Sequence, residues 1–439
     1  MHGAQCTVPC ALITPRISLG RAHMLAASVI RETRRAGIGA DAMTAVGSLR
    51  RFAPDIGDVA LLGVVPVSRH KEVMKAFTRL SFVLKATTES RSTVTAGTAR
   101  GPVSLHLTPP EQAGAALVWH TGARAHIGQL QARAERLGLR FADGAVSRAS
   151  GPAMLCPSEE DLYGTLGLPL IAPELRSGGG EIDIAERGEM PRLVSGLDIR
   201  GDLHTHSTWS DGGNTVADMV SAARTLGYEY VAITDHSERA WSSRTLGAAD
   251  VSKQRAEIDA LRANAPDIDI LHGVEVDIMQ DGSLDFDDEI LRGFDIVLAS
   301  LHDPGGDDGT RLTERYLRAI RHPLVNVITH PTNRAPGRSS GYALDFDRLF
   351  TAAAETGTAM EVDGAPGHLD MDGDVARRAA AAGVTIVINS DSHRMEALDR
   401  QMRFGVGTAR RGWVEPRHVL NTRAASDVRA FVARKRRRG

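Results

Sequence analysis

The sequence predicts an α/β protein in two parts: a seven-stranded (β/α) barrel over residues 201–425, preceded by a small α+β region. Three observations point that way. After residue 200, short β-rich runs alternate seven times with helical stretches, the pattern of a parallel barrel. Nine histidines and carboxylates stand at or just beyond the C-terminal ends of those runs, where such barrels build their active sites. The charge balance also changes along the chain. Residues 1–150 hold 19 Lys and Arg against 9 Asp and Glu, whereas residues 201–439 hold 29 against 36.

With 439 residues, 42% of them apolar, the chain is long enough for two or three domains with sizeable cores. No apolar run approaches the ~18 residues of a membrane span. The first 11 residues lack a charged segment followed by an apolar one, so no signal peptide is expected and the expected location is cytoplasmic. Three cysteines are too few for a disulfide framework. Cys6 and Cys10 lack the second pair that a structural zinc site needs.

From the N-terminus, an amphipathic pattern predicts a helix over 19–36. Gly47-Ser48 opens a loop, and 58–65 reads as a strand. A helix over 71–80 and strands near 82–86, 92–96 and 103–107 complete an α+β unit spanning 1–110. A mostly helical region follows over 111–170. Residues 171–200, with Ser177-Gly178-Gly179-Gly180, read as a linker. The barrel strands are expected at 202–206, 229–234, 269–276, 295–301, 325–330, 359–363 and 384–390. Helices such as 215–226 and 374–382 lie between them and stop at Gly227 and Gly383. Residues 426–439 read as a basic tail. Its Arg434-Lys435-Arg436-Arg437-Arg438 run suits either nucleic acid or a solvated end.

The metal-ligating candidates are His204, His206, Asp211, His236, Glu275, His302, His330, Asp391 and His393. Residues i and i+2 of a strand point the same way, so His204 and His206 can reach one ion together. Imidazole with carboxylate suits Zn²⁺, Mn²⁺ or Fe²⁺. Nine ligands exceed one tetrahedral site, so two or three divalent ions are expected, with Glu275 as the bridging carboxylate. Paired ions lower the pKa of a bound water and clamp a phosphoryl group. His204, His206, Glu275, Asp391 and His393 are therefore the candidate catalytic residues, and Arg334 and Arg338 the candidate phosphate-binding ones. His272 and His322 match no ligand position and read as structural.

These residues resemble the polymerase and histidinol phosphatase (PHP) domain family over about 200–425. The resemblance implies one ion on His204, His206, Glu275 and Asp391. A second falls on Glu275, His302 and His330, and a third on Asp211, His236 and His393. Within the family the chain most resembles the PHP domain of bacterial family X DNA polymerases. The shared segments include Ile199-Arg200-Gly201-Asp202-Leu203-His204, His330-Pro331-Thr332, Arg403-Phe404-Gly405-Val406-Gly407 and Ala409-Arg410-Arg411-Gly412-Trp413. In that subgroup the domain is associated with metal-dependent 3′–5′ exonuclease, 3′-phosphatase and abasic-site endonuclease activities. Asp363-Gly364-Ala365-Pro366 departs from the family, which more often has Asn at the first position.

The N-terminal part resembles the palm and thumb of the same polymerases in degenerate form. Gly47-Ser48-Leu49-Arg50-Arg51 resembles the triphosphate-binding loop, and Trp119-His120-Thr121-Gly122 the sugar-contacting segment. Of three palm carboxylates only Asp58 stands; Ala60 and Ser104 occupy the other two positions. Nucleotidyl transfer needs those carboxylates to hold two Mg²⁺ ions, so polymerase activity is expected to be lost. The family's N-terminal lyase-type and helix-hairpin-helix units are not found before the palm-like residues.

The leading expectation is a metal-dependent phosphoesterase acting on DNA 3′ ends, with DNA ends or nucleotides as partners. A phosphatase of small phosphate monoesters is the second reading, and a DNA-binding scaffold with an idle metal site the third. An amidohydrolase commonly needs a carboxylated lysine, and none of Lys71, Lys75, Lys85, Lys253 and Lys435 falls at a barrel strand end.

Overall fold

A computed structural model describes residues 16–38, 43–148, 151–240 and 242–437; Cys6, Cys10, Arg438 and most of the residues preceding the first helix lie outside this set. The seven barrel strands form as the alternation predicts. They are β1 (Gly201–Asp202), β2 (Tyr230–Ile233), β3 (Asp269–Asp277), β4 (Ile296–Ser300), β5 (Val327–Ile328), β6 (Ala359–Asp363) and β7 (Ile386–Asn389). Each pairs in parallel with the next in sequence order.

Closure between β1 and β7 relies largely on side chains. A parallel bridge joins Thr205 to Ser392. Below it, Asn389 Oδ1 accepts from Leu203 N at 3.0 Å. Asn421 Oδ1 accepts from Ile388 N at 3.0 Å, and its Nδ2 donates to Gly201 O at 2.9 Å and Ile388 O at 2.5 Å. Two asparagine amides thus stand in for rungs of the missing ladder, because an amide carries both donor and acceptor.

Alternate strand residues divide between two cores, as period two requires. Tyr230, Ala232, Ile296, Leu298 and Val387 join one cluster, which also contains Val428, Phe431 and Val432. Those last three sit on the helix Ala425–Arg436, so residues 425–437 are not the tail expected from their charge. The helix buries an apolar stripe against the barrel. Lys435 is only 3% exposed, with Nζ donating to Ile320 O at 2.8 Å and to Thr358 Oγ1. A run of basic residues hid the stripe.

The N-terminal unit is a five-stranded mixed sheet in the order 43–45, 59–64, 101–108, 93–98, 85–88, with α1 (Leu19–Arg35) packed on it. Helices Ala113–Thr121 and Arg124–Arg136 follow, then a hairpin of Leu139–Ala142 and Ala145–Arg148 that the sequence reading missed. Its turn is Asp143-Gly144, both at positive φ, a pairing that suits a tight hairpin. Residues 171–200 are not a loose linker: Leu175, Ile182 and Ala185 are buried in the core of the helical region.

The N-terminal sheet and the barrel share packing. Leu369 and Phe404 of the barrel half belong to the apolar cluster of the sheet and α1. Phe404 lies on α2 (Leu398–Arg411), and the His23 ring of α1 meets it edge-on at 5.3 Å. Two glycines permit the approach. A Cβ on Gly20 would stand 2.5 Å from Pro366 Cβ, and one on Gly407 would collide with the Phe52 ring.

Candidate metal centre

All nine sequence-predicted ligands converge at the C-terminal mouth of the barrel. His204 and His206 follow β1 and bring their Nε2 atoms within 3.1 Å of each other. Glu275 in β3 places Oε2 3.4 Å from His204 Nε2 and 3.6 Å from His206 Nε2. Asp391 Oδ1, from the turn after β7, lies 3.5 Å and 3.1 Å from the same two nitrogens. A tetrahedral ion with bonds of about 2.0–2.1 Å sets its ligand atoms about 3.3 Å apart. His204, His206 and Asp391 therefore already have the spacing of such a cage, with Glu275 against both imidazoles, while Glu275 also groups with His236 and His302.

The other Glu275 oxygen faces elsewhere. Its Oε1 is 2.8 Å from His330 Nε2 and 3.7 Å from His302 Nε2. Asp211 Oδ1 stands 3.2 Å from His393 Nε2 and 3.7 Å from His236 Nε2. The clusters adjoin: the His206 ring stacks on those of His393 and His236 at 4.1 and 4.4 Å.

Glu275 Oε2 also stands 2.8 Å from His236 Nδ1, so His204, His206 and His236 all face one carboxylate oxygen. Buried His206 Nδ1 and His330 Nδ1 lack hydrogen-bond partners within the protein, and buried polar groups are rarely left so. A carboxylate oxygen ringed by imidazole nitrogens suits cations between them. His330 and Asp391 also hold φ of 22° and 49°, which non-glycine residues seldom adopt and which recur at functional sites.

The electrostatics follow from burial and crowding. Burial works to raise the Glu275 carboxyl, but His204 and His236 hold it well below the usual range. Burial, reinforced by His393 and His236, pushes His206 down to about 3, so it stays neutral. His393 is held up at about 9 against burial by Asp211 and Asp391.

A supporting set orients the rings. His204 Nδ1 donates to Glu361 Oε1 at 2.8 Å, which leaves Nε2 turned to the cluster. Glu361 also accepts from Asn389 Nδ2 and from His330 N, at 2.8 and 2.9 Å. His302 Nδ1 is 3.1 Å from both Asp277 oxygens. Asp235 accepts from the backbone and hydroxyls of Ser207 and Ser210, fixing the loop that ends in Asp211. Such partners set the tautomer and basicity of ligating groups.

The sequence reading missed Glu361, Asp277 and His368. Glu361 shares a strand face with Asp363, and Asp277 with Glu275, so alternation was the available signal. His368 stacks on His330 at 5.1 Å. Its ring, Asp363 and Asp391 bring ligand atoms within 4.8 Å of one another, a further possible metal group. Asp363 Oδ2 and His368 Nδ1 are both buried without partners.

Other expectations are met or moved. His272 Nε2 is bonded to Gln254 and His322 Nε2 to Asp288, at 2.9 and 3.1 Å, away from the centre. Arg334 is not turned to the cluster: its Nη1 rests on Asp372 Oδ2 at 2.8 Å. Arg338 is exposed on the loop that follows His330. No helix among the described residues is long and apolar enough to cross a membrane.

In the N-terminal sheet, Ala60 and Ser104 are directly paired on neighbouring parallel strands. Ser104 Oγ shares a hydrogen bond with Thr95 Oγ1 at 2.9 Å. Asp58 is exposed just before the first of these strands. Gly47–Arg50 form a short helix where a loop was expected, and Arg50 is tied bidentately to Glu159 at 2.7 and 2.8 Å.

The PHP domain family matches residues 202–335, and the DNA polymerase beta thumb family matches residues 116–177. The DNA polymerase/3′-5′ exonuclease PolX of Bacillus subtilis (strain 168) is 36% identical over 390 residues, 88% of this chain and 68% of that protein. The chain belongs to the PolX family. Its PHP part also resembles a probable phosphatase of Shewanella oneidensis, 31% identical over 44% of this chain and 75% of that protein. A probable phosphatase of Thermoanaerobacter sp. (strain X514) is 32% identical over 44% of this chain and 78% of that protein. This PolX-family chain is a metal-dependent hydrolase of the phosphoesterase class, on a seven-stranded PHP barrel.

Proposed function

We propose that this chain removes nucleotides or phosphate from DNA 3′ ends at the barrel mouth, and that it no longer polymerises. The observation that carries the reading is Glu275, whose two oxygens face different histidine groups as a bridging carboxylate must. We assign one ion to His204, His206, Glu275 and Asp391, a second to Glu275, His302 and His330, and a third to Asp211, His236 and His393. Bound Mn²⁺, Zn²⁺ or Fe²⁺ would supply an acidified water and a clamp for the phosphoryl oxygens. The chain's own residues hold the ligand atoms in place through Glu361, Asp277 and Asp235. They also exclude bulk water, since His204, His206 and Glu275 are fully buried. A cytoplasmic location fits this role.

Loss of polymerisation is supported by the paired Ala60 and Ser104, which leave Asp58 as the one carboxylate of three. The test is Mn²⁺-dependent release of nucleotide from 3′-labelled DNA, abolished in His204→Ala. Wild-type rates in that variant would refute the reading. A second reading, hydrolysis of small phosphate monoesters, is favoured by the probable phosphatases that match the PHP part alone. Turnover of histidinol phosphate at rates above those on DNA would select it.

A further inference from the structure

We infer that the groove between α1 and the rim of the barrel carries a single DNA strand whose 3′ end enters the metal centre. The inference rests on the nuclease reading above and gives the degenerate palm a part in it.

The groove has a volume of about 390 Å³ and is walled on one side by the start of α1, with Arg21 and Met24. Its other walls belong to the site. Ala335–Arg338 continue the loop that begins at His330, and Pro366-Gly367 directly precede His368. Arg400 lies on α2 beside Gln401, whose Oε1 accepts from Ser392 Oγ between Asp391 and His393. The groove is therefore continuous with the loops that present the ligand cluster.

Its charge is one-sided. Four arginines line it and no carboxylate does. Arg16 is held by Asp55 at 2.7 Å, but among the described residues Arg21, Arg338 and Arg400 form no ion pair. A neighbouring hollow extends the track past Arg21 to Arg100 at the tip of a palm hairpin. Apolar groups alternate with these cations: Met24 is 53% exposed, and Pro336 and Pro366 face the groove. A positively charged groove that follows the backbone is what unpaired nucleic acid uses; among the described residues no aromatic platform lines this one, so the charge carries the fit. A single strand fits better than a duplex, because His204, His206 and Glu275 lie buried below the part-exposed Asp211, His302 and His393, a depth that suits an end that has left its partner.

The test uses the full chain and the triple variant Arg21→Gln, Arg338→Gln, Arg400→Gln. Binding of a labelled oligothymidylate is followed by fluorescence anisotropy in EDTA across a salt series. Each phosphate contact to single-stranded DNA contributes about −0.7 to the slope of log K against log salt. The triple variant should bind at least tenfold more weakly at low salt, with a slope shallower by about 2. The double variant Arg21→Gln, Arg400→Gln, which leaves the candidate phosphate-binding Arg338 in place, should match wild type in Mn²⁺-dependent hydrolysis of p-nitrophenyl phosphate, since neither residue belongs to the ligand set. Arg21→Glu alone isolates the palm side and should weaken binding severalfold while melting as wild type does. Wild-type affinity and slope in the triple variant would overturn the inference. So would tighter binding of an acidic peptide than of the oligonucleotide. Absence of all hydrolysis by the wild type would instead count against the nuclease reading, and the anisotropy result would stand apart from it.

Discussion

Asn421 offers the sharpest test of how the barrel closes. Replacing it with Leu keeps the branched outline, at a somewhat larger volume, and removes the amide. Three buried backbone groups then lose their partner: Ile388 N, Ile388 O and Gly201 O. A buried polar group left unpaired costs about 1–3 kcal/mol, so the gross loss for three is about 3–9 kcal/mol. The apolar side chain returns about 1.5–2 kcal/mol by leaving water. The expected net is a destabilisation of about 1–7 kcal/mol. Asn421→Asp should do worse, because a carboxylate would face two carbonyl oxygens. The measurement is urea unfolding in EDTA, since bound metal would stabilise the native state separately. A change within about 0.5 kcal/mol for Asn421→Leu would refute the claim that amides replace the β1–β7 ladder.

Three further predictions follow from the same structure. Burial holds Lys435 down at about 7; its ammonium is hydrogen-bonded to Ile320 O and Thr358 Oγ1 but has no carboxylate partner among the described residues, so stability should rise between about pH 7 and the ordinary lysine value of 10.5; Lys435→Met should remove this rise, read from unfolding curves at the two ends of the range. Glu275→Gln removes one of the two charged oxygens facing different histidine groups, so it should lower bound metal by more than one ion per chain in elemental analysis. Primer extension with labelled dNTPs and Mg²⁺ should give no product, and a product would show that Asp58 suffices without Ala60 and Ser104 being acidic.

The barrel was legible because its strands are short apolar runs and its ligands sit where such strands end. All nine candidates met at one mouth, since each ligand lies on or just after a strand whose direction the topology fixes. What escaped lay where that rule does not reach. His368 follows β6 by five residues in a loop, so strand periodicity says nothing about its direction. Glu361 was passed over because it sits inside a strand and serves a ligand without being counted as one. Arg334 was given a phosphate role from its place after His330, but Asp372, distant in sequence, holds it. The segment 425–437 misled for another reason: its charges are frequent enough to mask the Val428, Phe431 and Val432 stripe that decides where it packs.

Leu369 follows His368 and is rooted in the apolar core of the N-terminal half, as is Phe404. Cutting the chain before residue 200 would thus leave two large apolar side chains facing water beside the metal centre. The loop bearing His368 would lose its anchor although every ligand residue remained. The palm-like sheet therefore serves the barrel as a foundation independent of any chemistry at Ala60 and Ser104, through its packing at Gly20, Phe52 and Val59.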